Sequence, residues 1–519
     1  MTIPKFKNEM TLDFSKPANR KKQEAAIASV RAELGREYPI LIGGERVYAG
    51  QKFSSLNPSH PSEVLGTFQR GDAAIANQAI DAAAVKFEEW KHIPASKRSG
   101  YLFKAAKLMR KKRFELNAVE ILEVGKSWPE ADADIAEAID FLEFYAREML
   151  RYGADQAVEK ISGEKGKLVY IPLGVGVVIP PWNFPLAILT GMTAGALVTG
   201  NTAVLKPSSD SPWIGWKFVE IMEEAGLPPG VLNFVSGPGG GVGDTLVAHP
   251  KTRFIAFTGS RDVGIHINEL AARVQPGQIW LKRVVAEMGG KDSIYVDTDV
   301  DLEDAAKGVL SSAFGFQGQK CSACSRVIIH EKVYEEFVDL LARKADGLTV
   351  GDPSDPANFM GPVINRAAQE TIMGYVEKGV AEGGRLVAGG AKLEGDGFFI
   401  RPTVIADVQP RATIAQEEIF GPVLAAIKAR DFDEGMMIAN NTEYGLTGAV
   451  YSNNRKKLAR AEREFHVGNL YFNRKCTGAL VGVHPFGGFN MSGTDSKAGG
   501  RDYLLLFLQA KSIAERVKR

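Results

Sequence analysis

GVGVVIPPWNFPLAILTGMTAGALVTGNTAVLK, residues 174–206, reads as strand, turn, helix, strand, and that reading decides the fold. GVGVVIP is a short apolar run closed by prolines, the pattern of a strand buried on both faces. Leu186 to Thr199 has helical length, and TAVLK is a second strand that ends on Lys206. From Leu168 to Leu205 there is no charge, but Pro172, Pro180, Pro181 and Pro185 interrupt the run. With the strand-like end after Gly200 set aside, the longest proline-free piece is shorter than the ~20 apolar residues of a spanning helix. Further along, Pro212–Ala225 reads as helix, VLNFV as strand, Gly243–Ala248 as a short helix, RFIAF as strand and Gly264–Val274 as helix. Repeated units of this kind predict an α/β chain with a parallel sheet covered on both faces, and ligands at the carboxyl ends of its strands.

Toward the N-terminus, residues 1–36 read as a polar arm with a charged helix from Arg20 to Leu34. Residues 38–70 read as a hairpin around Gly43-Gly44. Three helices follow: Asp72 to Trp90, one starting near Ser96, and one from about Glu130 to Tyr152. Glu130, Asp132, Asp134, Glu137 and Asp140 on the third are expected to form a solvated face, since no His or Cys lies nearby to complete a metal site. After Glu287 a second alternating set appears: SIYV, helix Leu302–Phe314, a cysteine loop, RVIIH, and helix Tyr334–Ala345. Gly351–Phe398 reads as helix plus loops, and strands resume at ATIAQ and PVLAAIKA.

A chain of 519 residues holds about three domain-sized units. A net charge of +1 provides no field to draw nucleic acid or a membrane surface, so neither partner is expected. Three cysteines argue for a reducing compartment, and MTIPKFKNEMTLDF lacks the apolar core of a signal peptide; a cytoplasmic location is expected.

Several motifs sit at predicted strand ends. In GFQGQKCSACSR, Gly315 to Arg326, Cys321 follows a glycine-broken turn and precedes an apolar run, where a thiol can face a cleft. A packed, inert cysteine is the plain alternative. Cys324 completes a C-x-x-C, but short-spaced partners for zinc are missing, and no metal is expected. In PPWNFP, Asn183 offers an amide donor suited to an oxyanion hole, or simply a turn residue. In VVAEMGGKD, Glu287 ends a strand as a candidate general base, or as a cap. FTGSRDVG, with Thr258, Gly259, Ser260 and Gly264, can bind a phosphate at a helix N-terminus, and Gly243 closes the glycine-rich GPGGGVG. Lys206 can reach ribose hydroxyls. Glu418 and Phe420 of EEIFGPV would share one strand face, and the Phe residues of PFGGFNMSG can line an apolar pocket.

In this order and spacing, PWNFP, KPS, FTGS, EMGGKD, GQKC, EEIFGP and PFGGF resemble the aldehyde dehydrogenase superfamily over nearly the whole chain, from about Tyr38 to Arg516. The resemblance implies a Rossmann-type NAD-binding domain (38–150 and 172–286), an α/β catalytic domain (287–489), a small oligomerisation element (151–171 and 490–519) and an N-terminal arm (1–37). It implies Cys321 as nucleophile, Asn183 with the Cys321 N–H as oxyanion hole, and Glu287 as base for the deacylating water. Cofactor contacts fall on Pro181, Trp182, Lys206, Ser209, Gly243, Thr258, Gly259, Ser260, Gly264, Glu418 and Phe420. Ser209 stands where NAD-preferring relatives often carry an acid, which admits NADP beside NAD.

PKFKNE, EAIDFLEFYAREML, WLKRVVAEMGGKD, FHVGNLYFNRKCTGALVG and FGGFNMSGTDSKAGG resemble a narrower family, the bacterial stand-alone 1-pyrroline-5-carboxylate dehydrogenases. That implies oxidation of glutamate γ-semialdehyde to glutamate, a separate proline dehydrogenase in the pathway, and a homodimer or higher homo-oligomer helped by the tail YLLLFLQAK. Ser322, Gly478 and Ala479 would hold the amino-acid end of the substrate, with Glu137, Phe184 and Phe486 near the pocket. The rival readings are the same chemistry on another semialdehyde such as succinic semialdehyde, and a non-catalytic binding protein of the same fold. A cysteine hydrolase would want a His base in a family-like pattern, and the seven histidines form none.

Overall fold

The computed structural model describes residues 4–517. Two seven-stranded sheets carry the architecture. From edge to edge, the first runs Arg283–Glu287, Thr252–Thr258, Val175–Ile179, Thr202–Leu205, Leu232–Phe234, Ile40–Ile42 and Glu45–Val47. Its first five strands are parallel, and the hairpin of residues 40–47 closes one edge antiparallel. Val175–Ile179, the earliest of the five in sequence, lies in the middle. The chain winds out to Leu232–Phe234 and then crosses back to Thr252–Thr258. That reversal creates a crevice at the carboxyl ends of Val175–Ile179 and Thr252–Thr258, a topological switch point.

The second sheet runs Arg385–Ala388, Thr403–Ala406, Val423–Ala429, Cys324–His330, Asp292–Val296, Thr447–Tyr451 and Asn469–Phe472, all parallel except the first. Only Met288 to Lys291 separate Arg283–Glu287 from Asp292–Val296. The carboxyl edge of one sheet is therefore joined directly to the amino edge of the other. Helix Ala187–Val198 is apolar all round, and every residue in it except Ile188 is buried, as expected of a helix with no solvent face. It packs against helix Trp128–Tyr152. Among the described residues, no helix is long and apolar enough to cross a membrane.

The acidic face expected to be solvated is not. Asp132, Asp134 and Asp140 are buried. Asp132 takes a two-pronged hydrogen bond from Arg113, at 2.7 Å on each oxygen, and accepts the Leu12 N–H; Asp140 accepts from Asn8 and from the Glu9 N–H. The N-terminal arm thus lies along this helix, and its backbone donors are satisfied by the helix's carboxylates. Asp134 pairs with Lys126, and Glu130 with Lys320 at 2.7 Å. A local pattern of acids cannot show that partners arrive from residues 8–12, 113, 126 and 320.

Other elements also depart from expectation. Helix Arg113–Val124 follows helix Ala95–Lys111 across a single bent residue, Lys112, with no Gly or Pro to announce the break. ATIAQ is not a strand. Thr413–Gln416 is a helical turn, and the Glu382 carboxylate accepts the Thr413 N–H at 2.7 Å, a tertiary cap that overrides local β-preference. Glu418 and Phe420 do not share a strand face either: the segment is irregular and Phe420 has φ 55°. The tail begins as a 3-10 turn, Tyr503–Phe507, and continues as Leu508–Arg516, antiparallel to Glu164–Pro172.

Candidate active site

Helix Leu302–Phe314 gives way to a loop that returns as strand Cys324–His330. Phe316, Gln317 and Gly318 all take left-handed backbone, with φ 50°, 56° and 67°. For the two non-glycine residues this costs about 1–2 kcal/mol each. Tertiary contacts hold them there. Gln317 Nε2 donates to the carbonyls of Gly125 (3.0 Å) and Pro362 (2.8 Å), and the buried Phe316 ring meets Trp182 and Phe184 edge-on. The sharp reversal leaves Cys321 on the rim of the second sheet as a half-buried free thiol. Gly290, from the link between the sheets, lies so close that a Cβ there would sit 2.4 Å from the Cys321 carbonyl oxygen.

Asn183 comes from the turn after Val175–Ile179. It is buried, and its amide donates to the carbonyl of Gln319 at 3.0 Å, two residues before Cys321. One amide hydrogen is thereby spent fixing the side chain, and the second remains to donate.

Glu287 ends the edge strand of the first sheet, paired with Thr258. Its Oε1 accepts the Ser496 hydroxyl, while Oε2 is buried without a protein partner. Burial raises this carboxyl to about 8. Burial also pushes the Cys321 thiol well up, and the charges of Asp292, Glu418 and Glu287 push the same way. At neutral pH the resting forms are therefore a thiol and a largely protonated carboxyl, near enough for the charge of Glu287 to act on Cys321. Asn183, Cys321 and Glu287 come from three segments far apart in sequence.

The switch point has the unused donors of a dinucleotide site. The Lys206 ammonium is buried with a single carbonyl acceptor, that of Pro207 at 3.1 Å, and burial lowers it to about 8. Ser260 precedes helix Arg261–Ala272 without capping it, so the first-turn N–H groups and the hydroxyl are available to a phosphate. A Cβ on Gly239 or Gly240 would meet nothing, and one on Gly243 only the Lys206 stem at 3.6 Å, so the loop leaves open room beside that lysine. These residues fit NAD. Ser209 is exposed, and its hydroxyl donates to the Gly237 carbonyl at 3.4 Å. Glu418 Oε1 accepts the Gly290 N–H at 3.0 Å, and the Phe420 ring meets Trp182 edge-on at 5.5 Å, which brings both to the Cys321 side of the crevice. Pro181 opens the turn that carries Trp182 and Asn183. Three of the expected contact residues are also closely packed on one side. The Thr258 hydroxyl points to Met192 Sδ, a Cβ on Gly264 would strike Met288, and one on Gly259 would strike Phe257.

Of the expected substrate residues, Phe184 packs beside Phe316, and the Lys126 ammonium lies 4.6 Å and 5.1 Å from the two ring centroids. Glu137 faces the same buried ionic cluster, and burial raises it to about 8. The Ser322 carbonyl accepts from Thr447 and from the Cys476 thiol, which fixes its backbone beside Cys321. Gly478 has φ 78°, and Arg474 ties its turn through the Thr477 carbonyl, 2.7 Å away; Ala479 follows directly. Phe486 pairs with Ala498, two residues from Ser496.

Lys126, Phe316, Gln319 and Ser496 also belong to this assembly; the last three lie inside quoted motifs whose pattern assigns them no role, and Lys126 lies in none. The nearest hint is the glycine density around Ser496, which permits close approach without stating to what.

The model of the aldehyde dehydrogenase family matches residues 47–513. The chain is 57% identical over 513 residues to a 1-pyrroline-5-carboxylate dehydrogenase of Geobacillus sp. (strain WCH70), covering 99% of each chain. It is 54% identical to 1-pyrroline-5-carboxylate dehydrogenase 2 of Bacillus subtilis (strain 168), covering 99% of this chain and 100% of that one. Among solved structures it is similar to a Thermus 1-pyrroline-5-carboxylate dehydrogenase with bound NAD, at 52% identity and TM-score 0.97 over 100% of both chains.

Proposed function

This chain belongs to the aldehyde dehydrogenase family, and on that premise we propose that it oxidises L-glutamate γ-semialdehyde, in equilibrium with 1-pyrroline-5-carboxylate, to L-glutamate with NAD. The observations that carry the chemistry are the Asn183 amide bonded two residues from Cys321, the unpartnered Glu287 Oε2, and the action of the Glu287 charge on the Cys321 thiol. In this reading Cys321 loses its proton to water in the crevice and its sulfur bonds to the aldehyde carbon as the carbonyl π bond opens onto oxygen. The carbonyl oxygen becomes an oxyanion held by the remaining Asn183 N–H and the Cys321 backbone N–H. Bound NAD would supply the two-electron acceptor, held by Lys206, Ser260 and Glu418. Cys321 is left carrying a thioester. Glu287 Oε2 then takes a proton from water, the water oxygen bonds to the acyl carbon, the C–S bond breaks, and the acid leaves.

Asn183→Ala should lower kcat/KM by about 10²- to 10³-fold, the usual cost of one oxyanion donor, while NAD affinity is kept. Stopped-flow NADH formation with NAD titration measures both.

Ser322, Gly478 and Ala479 are the residues for the substrate's amino-acid end, with Phe184 and Phe486 as apolar walls and Glu137 nearby. The proposed domains divide at Glu287, with 38–150 and 172–286 binding NAD and 287–489 carrying the thiol. The antiparallel pair Glu164–Pro172 and Leu508–Arg516 is the element for homo-oligomer assembly. A separate proline dehydrogenase supplies the substrate, in the cytoplasm. With Ser209 neutral, NADP serves as a weaker second coenzyme. NADH formation from 1-pyrroline-5-carboxylate and from succinic semialdehyde tests the substrate: the first should show the higher kcat/KM, and a clear preference for the second overturns the assignment.

A further inference from the structure

We infer that Ser496 is a positioning residue for the deacylating base, its hydroxyl holding Glu287 Oε1 so that the free Oε2 is presented to water. The inference rests on the function proposed above. It stands on how the chain is strapped together at this point. Residues 492–498 return to the first sheet from more than 200 residues beyond Glu287 and bond along its edge strand. The Met288 N–H donates to the Ser492 carbonyl (2.8 Å), the Thr494 N–H to the Ala286 carbonyl (2.9 Å), and the Ala286 N–H to the Thr494 hydroxyl (2.9 Å). These bonds flank Glu287 on both sides and set Ser496, itself buried, against its carboxylate. Gly487 makes room on the other side: a Cβ there would lie 1.7 Å from the Ser496 carbonyl oxygen and 2.8 Å from Glu287 Oε1. The Lys497 ammonium ties the strap to the Gly468 and Gly487 carbonyls.

The two carboxylate oxygens are therefore unequal. One is tethered by a donor, and the other is buried with no protein partner. A carboxylate free to rotate would lose its alignment with the acyl carbon, since displacements near 1 Å are costly for catalysis. The same strap pairs Phe486 with Ala498 through both backbone bonds, so the base and a wall of the pocket share one support. The charged and titratable groups that act on Glu287 are Lys497 and Asp495 on the strap; Cys321, Tyr145 and Tyr503 feel its charge in turn. Ser496 is the larger of two neutral donors, the Gly488 N–H being the other, and its bond favours the ionised carboxylate.

The test compares Ser496→Ala and Ser496→Thr with the unmodified chain in rapid-mixing NADH assays with 1-pyrroline-5-carboxylate, across pH. Ser496→Ala should keep a first-turnover burst of NADH near one per site. Its steady-state rate should fall by roughly 10- to 100-fold, the worth of one hydrogen bond to a charged group. The acid limb of kcat should move to higher pH, and Ser496→Thr should restore much of both. An unchanged steady-state rate and pH profile in Ser496→Ala overturns the inference while leaving the proposed function standing. Loss of burst and steady state together in both variants also overturns it, since that marks a structural role only. Failure of the unmodified chain to form NADH from this substrate overturns the proposed function and this inference with it.

Discussion

Cys321→Ser is expected to abolish NADH formation, lowering kcat by roughly 10⁴- to 10⁶-fold, as removal of a catalytic nucleophile does elsewhere. The geometry gives the reason. Cys321 is the cysteine at the rim, half-exposed to the crevice, whereas Cys324 and Cys476 are buried beneath it. A serine hydroxyl at this position would have to ionise against the same burial and the same negative neighbours that already push the thiol well up, from a far higher starting value. The Ser322 N–H acts the other way, but more weakly than burial or those charges. Cys324→Ser is the contrasting substitution. Its sulfur points to the Arg326 carbonyl at 3.3 Å, an acceptor a hydroxyl can use, so most activity should remain. Steady-state NADH formation and labelling by a thiol-specific alkylator separate the two. If Cys321→Ser stayed active and Cys324→Ser did not, the nucleophile would have to be reassigned.

Glu287→Gln should stop turnover at a different place. The thioester still forms, so about one NADH per site should appear in a rapid burst. The steady rate should then fall by about 10²- to 10⁴-fold, the range for loss of a general base. A retained steady rate would remove Glu287 from that role. The pH dependence has a definite sign. Burial raises this carboxyl to about 8, so its ionised fraction, and with it deacylation by the unmodified enzyme, should climb between about pH 6 and pH 9. Stability runs the other way. A carboxyl whose folded-state value lies above its ordinary 4.5 contributes fully below that value, and its contribution is withdrawn as pH rises through about 8. Glu287→Gln removes the penalty of charging a buried acid. Its melting temperature relative to the unmodified chain should therefore improve from pH 6 to pH 9.

Much of the fold was legible because the signals are local. Apolar runs closed by Pro and Gly mark Val175–Ile179 and Thr202–Leu205, and the helix Leu302–Phe314 was read to its observed ends. Asp72 caps its helix as its residue type predicts, accepting the Ile75 N–H. The failures are also physical. At Thr413–Gln416 the Glu382 carboxylate, just past the end of helix Arg366–Ala381, caps four residues that would otherwise favour a strand. At Phe420 the ring's place against Trp182 goes with a left-handed backbone that no residue pattern announces. On helix Trp128–Tyr152 five acids looked like a wet surface, yet at least four take partners brought in by tertiary structure.

The sequence by itself determined the alternating strands and helices, the family, and the identities of Cys321, Asn183 and Glu287, because each is written in short-range pattern or motif. Only the tertiary structure decided what each of them faces. The joining of one sheet's carboxyl edge to the other's amino edge brings the Cys321 loop within reach of the Glu287 charge and against Gly290. The strap of residues 492–498 leaves one Glu287 oxygen tethered and the other free. Those pairings are made between residues scores to hundreds of positions apart, and their energies depend on burial, which a linear pattern does not carry.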